Sequence, residues 1–249
     1  MERYQIILAY DGTDFVGSQR QAKSRTVQGE LEKALRKLGW DKRTVYLAGR
    51  TDSGTHASGQ VAAFDLEWQH SLDDLRNALN ASLPADMAVR EVKVAAAKFR
   101  PRFDATSRRY RYRLFCQRVR DPLRERYACR VWPPVADLTP LAVIWPGTHD
   151  FAAFGSPPRP GGSTLRTVLF AEWQDHGDEW TFEIQADAFL YRMVRRLAYV
   201  QVAAGQGRVQ AETLVRALRG VSRGIQDVPA GLAPASGLTL VEVRYDNLV

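Results

Sequence analysis

Cysteine is scarce: only Cys116 and Cys129 occur in 249 residues, and neither stands in a Cys-x-x-Cys pair. A chain of this length needs no disulfide framework, so both read as free thiols of a reducing compartment. Histidine is scarce too. His56, His70, His149 and His176 are scattered singly, with no second His or Cys at ligand spacing, which argues against metal catalysis. No Gly-x-Gly-x-x-Gly or Walker-type loop occurs, so no nucleotide cofactor is expected, and no Gly-x-Ser-x-Gly elbow marks a serine hydrolase. No apolar run approaches the length of a membrane span. The opening MERYQIILAYDG begins as a charged strand and lacks a signal-peptide pattern. Together these absences predict a cytoplasmic protein working without metal, cofactor or membrane.

What the chain does have is positive charge, carried mostly by arginine. Lys plus Arg number 35 against 28 Asp plus Glu, a formal charge of +7. The arginines cluster: RPRFDATSRRYRYR, residues 100–113, holds six of them beside one aspartate. A guanidinium fork matches a phosphate with two parallel hydrogen bonds, so nucleic acid is the leading class of partner. A solvated sheet face is the other reading of such a run. The 45% of apolar residues suffices for a real core, in one large domain or two of ordinary size.

The periodicity predicts two α/β halves. YQIILAY (4–10) reads as a strand stopped by Asp11-Gly12. VQGELEKALRKL (27–38) reads as a helix, with Val27, Leu31, Ala34 and Leu38 on one face, Thr26 as N-cap and Gly39 at the stop. TVYLAG (44–49) and QVAAFDL (60–66) read as strands. LDDLRNALNASL (72–83) reads as a helix behind Ser71, with Asp74 completing a capping-box-like pair, and MAVREVKVA (87–95) as a strand. The order β-α-β-β-α-β is ferredoxin-like.

The second half repeats that order loosely. SRRYRYRLFC (107–116) alternates, with Tyr110, Tyr112 and Leu114 on one side and Arg109, Arg111 and Arg113 on the other. RYACRVW (126–132) is a candidate to pair with it, and a helix is expected near 138–145. TLRTVLFAEWQ and DEWTFEIQA, split by His176-Gly177, read as a hairpin. DAFLYRMVRRLAYVQVAAG (187–205) reads as a helix with a stripe of Met193, Leu197, Val200 and Ala204, ended by Gly205. TLVRALRG is a short helix and GLTLVEVRY (237–245) a final strand. The predicted boundary lies near residue 104, giving halves 1–104 and 105–249. The Pro-, Gly- and Ser-rich stretch 154–166 is the expected mobile loop. The fold class is therefore α/β (α+β): two ferredoxin-like halves, each a mostly antiparallel sheet with helices on one face.

The densest concentration of chemistry is AGRTDSGTHASGQ, residues 48–60. Asp52 follows Arg50 at the end of a strand, before the turn dipeptide Ser53-Gly54. That position can hold one carboxylate out of the sheet beside a guanidinium, ready to act as nucleophile or general base. Asp-Ser-Gly is equally an ordinary turn signal. His56, four residues on, makes an Asp–His hydrolase conceivable; ordering of the loop by hydrogen bonds is the simpler role for it. Arg192, Arg195 and Arg196 share spacing i, i+3, i+4 on the 187–205 helix, where one can reach a carboxylate and another an RNA backbone, or all can be solvated. Tyr110 on its strand can stack an exposed base while flanking arginines bind phosphates; Tyr112 reads as core.

Seven segments taken in order resemble one family. They are YDGTDFVGSQRQ (10–21), TVQGELEKAL (26–35), AGRTDSGTHASGQV (48–61), LNASLP (79–84), FRPRFDATSRRYRYR (99–113), FLYRMVRRL (189–197) and APASGLTLVEV (233–243), and the chain is thereby similar to the tRNA pseudouridine synthase A family over nearly its whole length. The resemblance implies the pseudouridine-synthase fold, with the two halves joined into one central sheet. It implies isomerisation of uridine to pseudouridine at positions 38 to 40 of the tRNA anticodon stem-loop, no cofactor, no metal, and a homodimer whose basic clefts hold the RNA. It places the catalytic role on Asp52. Arg50 is then expected to open the stem and position the base, Tyr110 to stack on the uracil, and Arg195 to pair with Asp52, with Arg109, Arg111 and Arg192 as further substrate contacts.

Several positions depart from the family pattern. Ser18 stands where tryptophan is usual, Thr55 where valine is, Arg100-Pro101 where His-Ala is, and Arg192 and Arg196 where histidine and asparagine are common. A lone carboxylate can serve by adding to carbon 6 of the base, by attacking carbon 1 of the sugar, or by taking the sugar's C2 proton; the residues admit all three. Each requires the base to leave its stack. A non-catalytic RNA-binding protein, and a pseudouridine synthase with another RNA target, are the alternatives.

Overall fold

The computed structural model describes residues 1–42, 44–220 and 227–246. The chain divides into two compact units. One comprises Met1–Thr106 with the described residues from Thr239 onward; the other comprises the described residues of Ser107–Leu238.

The first unit opens on β1 (Glu2–Tyr10), whose alternate side chains Tyr4, Ile6, Leu8 and Tyr10 are buried. Removing such side chains from water stabilises the fold by roughly 1.5–3 kcal/mol each. Helix α1 (Val27–Lys37) starts at Thr26, whose hydroxyl accepts from the Gly29 amide at 3.2 Å, and it buries Val27, Leu31, Ala34 and Leu35. It is followed by β2 (Tyr46–Leu47) and β3 (His56–Leu66). Helix α2 (Leu72–Ser82) carries the expected capping box between Ser71 and Asp74, and β4 (Met87–Val94) follows.

β1 runs antiparallel to both β3 and β4, and β2 is antiparallel to β3. The order β4-β1-β3-β2 is that of a ferredoxin-like sheet, as the β-α-β-β-α-β reading anticipates. The final strand, β10 (Leu238–Tyr245), pairs in parallel with the N-terminal end of β3, at Thr239↔His56 and Leu240↔Ala57. The sequence division at residue 104 puts this strand with the second half; in the structure it packs on the first.

In the second unit, β5 (Ala105–Cys116, beginning in the first unit) takes β6 (Cys129–Val131) in parallel and β9 (Trp180–Ala186) antiparallel. β9 forms the predicted hairpin with β8 (Leu165–Asp175), and β8 also pairs with β7 (Gly147–Asp150). The helix expected near 138–145 is one turn, α3 (Thr139–Ala142). α4 (Met193–Gly205) and α5 (Ala211–Leu218) complete the unit.

α4 is six residues shorter at its start than the 187–205 reading. The apolar periodicity runs on through Phe189 and Leu190, but Arg192 lies in the left-handed region at φ 63°. An L-residue with a long side chain there breaks the helical path at a cost of roughly 1–2 kcal/mol, and nothing in composition signals it. The buried stripe is Met193, Leu197 and Val200 as expected, with Gln201 and Ala203 rather than Ala204 continuing it.

Candidate active site

The segment Gly49–Thr55 leaves the sheet between β2 and β3. The expected strand 44–49 is laddered only at Tyr46 and Leu47, with the Ala48 amide still bonding Val61 O at 2.8 Å. Beyond it the backbone is held by side chains from elsewhere in the first unit. The Thr51 amide donates to Ser18 Oγ at 2.8 Å, and the Ser18 amide donates back to Thr51 O at 3.1 Å. Thr51 Oγ1 lies 2.8 Å from the Tyr10 hydroxyl. Gln60 accepts from the Gly49 amide at 3.2 Å and donates to Gly49 O at 2.9 Å. On the far side, Ser53 Oγ and the Gly54 amide both donate to Phe15 O, and the Thr55 amide closes the turn on Asp52 O at 3.1 Å. Gly54 adopts φ 77°, the left-handed conformation this turn requires.

Asp52 is thus the half-buried member of a loop whose neighbours Thr51 and Thr55 are buried, with Arg50 exposed two residues away. The anchors are neutral. Burial pushes the Tyr10 phenol up to about 12, hydrogen bonds from Thr51 and Gln60 opposing it, so Tyr10 stays an uncharged partner across the working range. Sequence reasoning does not find Ser18, Gln60 or Tyr10 as site residues. Ser18 is fully buried, and its hydroxyl is what Thr51 leans on.

His56 orders the loop. Its Nδ1 accepts from the Gly12 amide at 3.0 Å. Asp11 Oδ1 lies 3.2 Å from the same nitrogen. His56 is thereby tied to the Asp11-Gly12 turn, the loop-ordering role that is the simpler reading of it. Gly12 has to be glycine: a Cβ there would sit 2.0 Å from Thr55 O.

The second unit carries the remaining predicted residues. Tyr110, Tyr112 and Leu114 lie on the buried face of β5, and Arg109, Arg111 and Arg113 alternate on the other, as expected. Tyr110 is 9% exposed and packs edge-on against Phe189 at 5.1 Å. Tyr112 is core: its hydroxyl donates to Pro234 O at 3.0 Å. The outward arginines meet carboxylates from β9 and the turn before it. Glu183 takes Arg111 at 2.6 Å and Arg109 at 3.4 Å, and Glu179 takes Arg113 at 2.5 Å.

The arginines of 192–196 do not form the expected single face. Arg192 precedes the helix, is exposed, and lies over the Tyr191 ring at 4.7 Å. Arg196 is committed to backbone carbonyls, those of Pro229 and of Gly231 (2.9 Å), and burial lowers its guanidinium below the usual range. Arg195 Nε donates to Ala233 O at 2.8 Å, and Ala233 N donates back to Arg195 O at 3.2 Å. Asp52 and Arg50 belong to the first unit; Tyr110, Arg109, Arg111, Arg192 and Arg195 belong to the second. Among the described residues no three His, Cys, Asp or Glu side chains are grouped to hold a metal ion, and no helix is long and apolar enough to cross a membrane.

The family whose model matches this chain, over residues 6–104 and 141–246, is described as tRNA pseudouridine synthase. A tRNA pseudouridine synthase A from Chloroflexus aurantiacus is 41% identical over 256 residues, spanning 98% of this chain and 89% of its own. One from Limosilactobacillus fermentum is 38% identical, spanning 99% of this chain and 97% of its own. The tRNA pseudouridine synthase A 1 of Bacillus cereus is 36% identical, spanning 99% and 100%. The chain belongs to the tRNA pseudouridine synthase A family.

Proposed function

We propose that the protein isomerises uridine to pseudouridine at positions 38 to 40 in the anticodon stem-loop of tRNA, with Asp52 as the catalytic carboxylate. The observation that supports this most directly is the construction of the Gly49–Thr55 loop. Its backbone is anchored through Ser18, Tyr10, Gln60 and Phe15, so one side chain in a family-specific Gly-Arg-Thr-Asp sequence is presented from a pre-ordered support. The reaction is balanced within the substrate. The bond from N1 to the sugar carbon breaks, the bond from C5 forms, and the proton lost from C5 is replaced by one gained at N1. One carboxylate supplies the nucleophile or base for whichever of the three routes operates, and no redox partner is needed.

Arg50, on the same loop, opens the stem and positions the base, and Tyr110 provides the aromatic surface for the uracil. Arg195 is the partner that the family pattern assigns to Asp52, with Arg109, Arg111 and Arg192 in supporting contact with the RNA. The enzyme acts as a cytoplasmic homodimer. The test is chemical mapping of pseudouridine in tRNA incubated with the purified protein, alongside tritium release from 5-tritiated uridine. Asp52→Asn should retain tRNA binding and lose release by roughly 10²–10⁴-fold or more. Undiminished turnover by Asp52→Ala would overturn the assignment, and wild-type protein that binds tRNA without forming pseudouridine would reduce it to an RNA-binding module.

A further inference from the structure

The first unit contains a second feature suited to RNA. A cavity of about 750 Å³ opens beside the Asp52 loop, with Gly49 and Arg50 in its wall. Lys98, Arg100 and Arg102 line it together with Arg3, and none of the described lining residues is acidic. Arg3 is paired with Asp65 at 2.9 Å, a carboxylate that lies outside the lining.

Two aromatic rings stand in the same wall, and both are exposed: Phe103 at 71% and Tyr46 at 50%. A single exposed Phe means little. This one sits on a built turn. The Phe103 and Asp104 amides donate to Arg100 O at 2.9 and 3.0 Å, and Asp104 Oδ2 accepts from the Arg100 amide at 2.7 Å. The segment is tied down at two further carbonyls: Phe99 O accepts from Arg3 Nε at 2.7 Å and Pro101 O from the Tyr245 hydroxyl at 2.9 Å. The Arg100 and Arg102 guanidiniums lie 5.3 and 5.9 Å from the Phe103 ring centre. A fixed ring flanked by cations in a concave wall without acidic residues is the arrangement that binds single-stranded nucleic acid: the ring stacks a base and the cations take the adjoining phosphates.

We infer that this groove is a nucleotide-stacking site, in which an unpaired base of the RNA substrate lies on Phe103 while Lys98, Arg100 and Arg102 hold its phosphates. The inference rests on the RNA-modifying reading above and extends it to residues that reading does not use. Because Arg50 is shared by the groove and the Asp52 loop, the strand held here is the one leading to the target uridine.

The test measures binding of a fluorescent oligouridylate and of tRNA across a salt series, for wild type, Phe103→Ala, Phe103→Trp and the double variant Arg100→Glu/Arg102→Glu, with thermal unfolding and oligomeric state recorded for each. Phe103→Ala should raise the Kd for oligouridylate about tenfold, and Phe103→Trp should restore it. The double variant should weaken both ligands and lower the slope of log K against log salt by about 1.4, or about 0.7 for each single-strand phosphate no longer held. It should also raise KM for tRNA.

Folded variants that bind both RNAs with wild-type affinity and slope would overturn the inference, even if the wild type converts tRNA normally. Dissociation of an oligomer by the double variant, with RNA affinity intact, would overturn it in favour of a contact between copies of this chain. Failure of the wild type to make pseudouridine, with oligouridylate binding still dependent on Phe103, would sink the proposed reaction and leave the groove standing.

Discussion

The two units treat charge in different ways. In the first, the loop that presents Asp52 is held almost entirely by neutral groups, the hydroxyls of Ser18, Tyr10 and Thr51 and the amide of Gln60, and several cations lie together in a groove whose described lining holds no acidic residue. In the second, the arginines of β5 and of the first turn of α4 are engaged by structure. Glu183 and Glu179 answer the β5 arginines, while Arg195 and Arg196 tie α4 to carbonyls between Val228 and Ala233. A count of arginines therefore overstates the charge offered to a polyanion. What matters is what already faces each one.

The largest blow to the contrast is expected from the first unit's backbone. Gly12→Ala places a methyl group against Thr55 O and has to push the loop off its anchors, so it should destabilise the protein by about 3 kcal/mol or more and abolish pseudouridine formation together. Urea unfolding and tritium release on the same samples would show it. A fully stable, fully active variant would mean that the loop is not held as described.

Next comes pH. Tyr10 is raised from 10.0 to about 12 in the folded protein, so the folded state favours the protonated phenol more than the unfolded chain does. Its contribution is therefore intact below pH 10 and is lost as pH climbs toward 12, by up to roughly 3 kcal/mol. The stability of Tyr10→Phe should fall less steeply than that of wild type over this interval; parallel curves would show that the phenol is not sealed in.

The smallest stability effect is expected in the second unit. Glu183→Gln leaves Arg109 and Arg111 without their shared carboxylate at a partly exposed site, costing about 1 kcal/mol. In exchange, tRNA should bind several-fold more tightly at low salt, with a steeper salt dependence. An unchanged salt slope would show that the outward face of β5 does not meet RNA.

Local signals make much of this architecture legible. Thr26 and the Ser71–Asp74 box announce both helices of the first unit, because a cap is a short-range arrangement visible in a few letters. The alternation of Tyr110–Leu114 gives the faces of β5 correctly for the same reason. What cannot be read is long-range. Ser18 meets Thr51 and Gln60 meets Gly49 across turns of unrelated spacing, and Glu183 meets Arg109 and Arg111 only because β9 lies alongside β5. The start of α4 escapes the pattern because a left-handed arginine leaves no mark in a hydrophobic periodicity. Asp52 itself can be singled out from its setting, but which groups steady it becomes visible only in three dimensions.

The parallel partnering of β10 with His56 and Ala57 has a consequence for biosynthesis. That strand leaves the ribosome only after the whole of the second unit has been made. Until then the beginning of β3, just past the aspartate-bearing turn, is an open edge. A nascent chain therefore closes the sheet beside its Gly-Arg-Thr-Asp turn as one of its last folding steps, once every residue of the second unit has been synthesised.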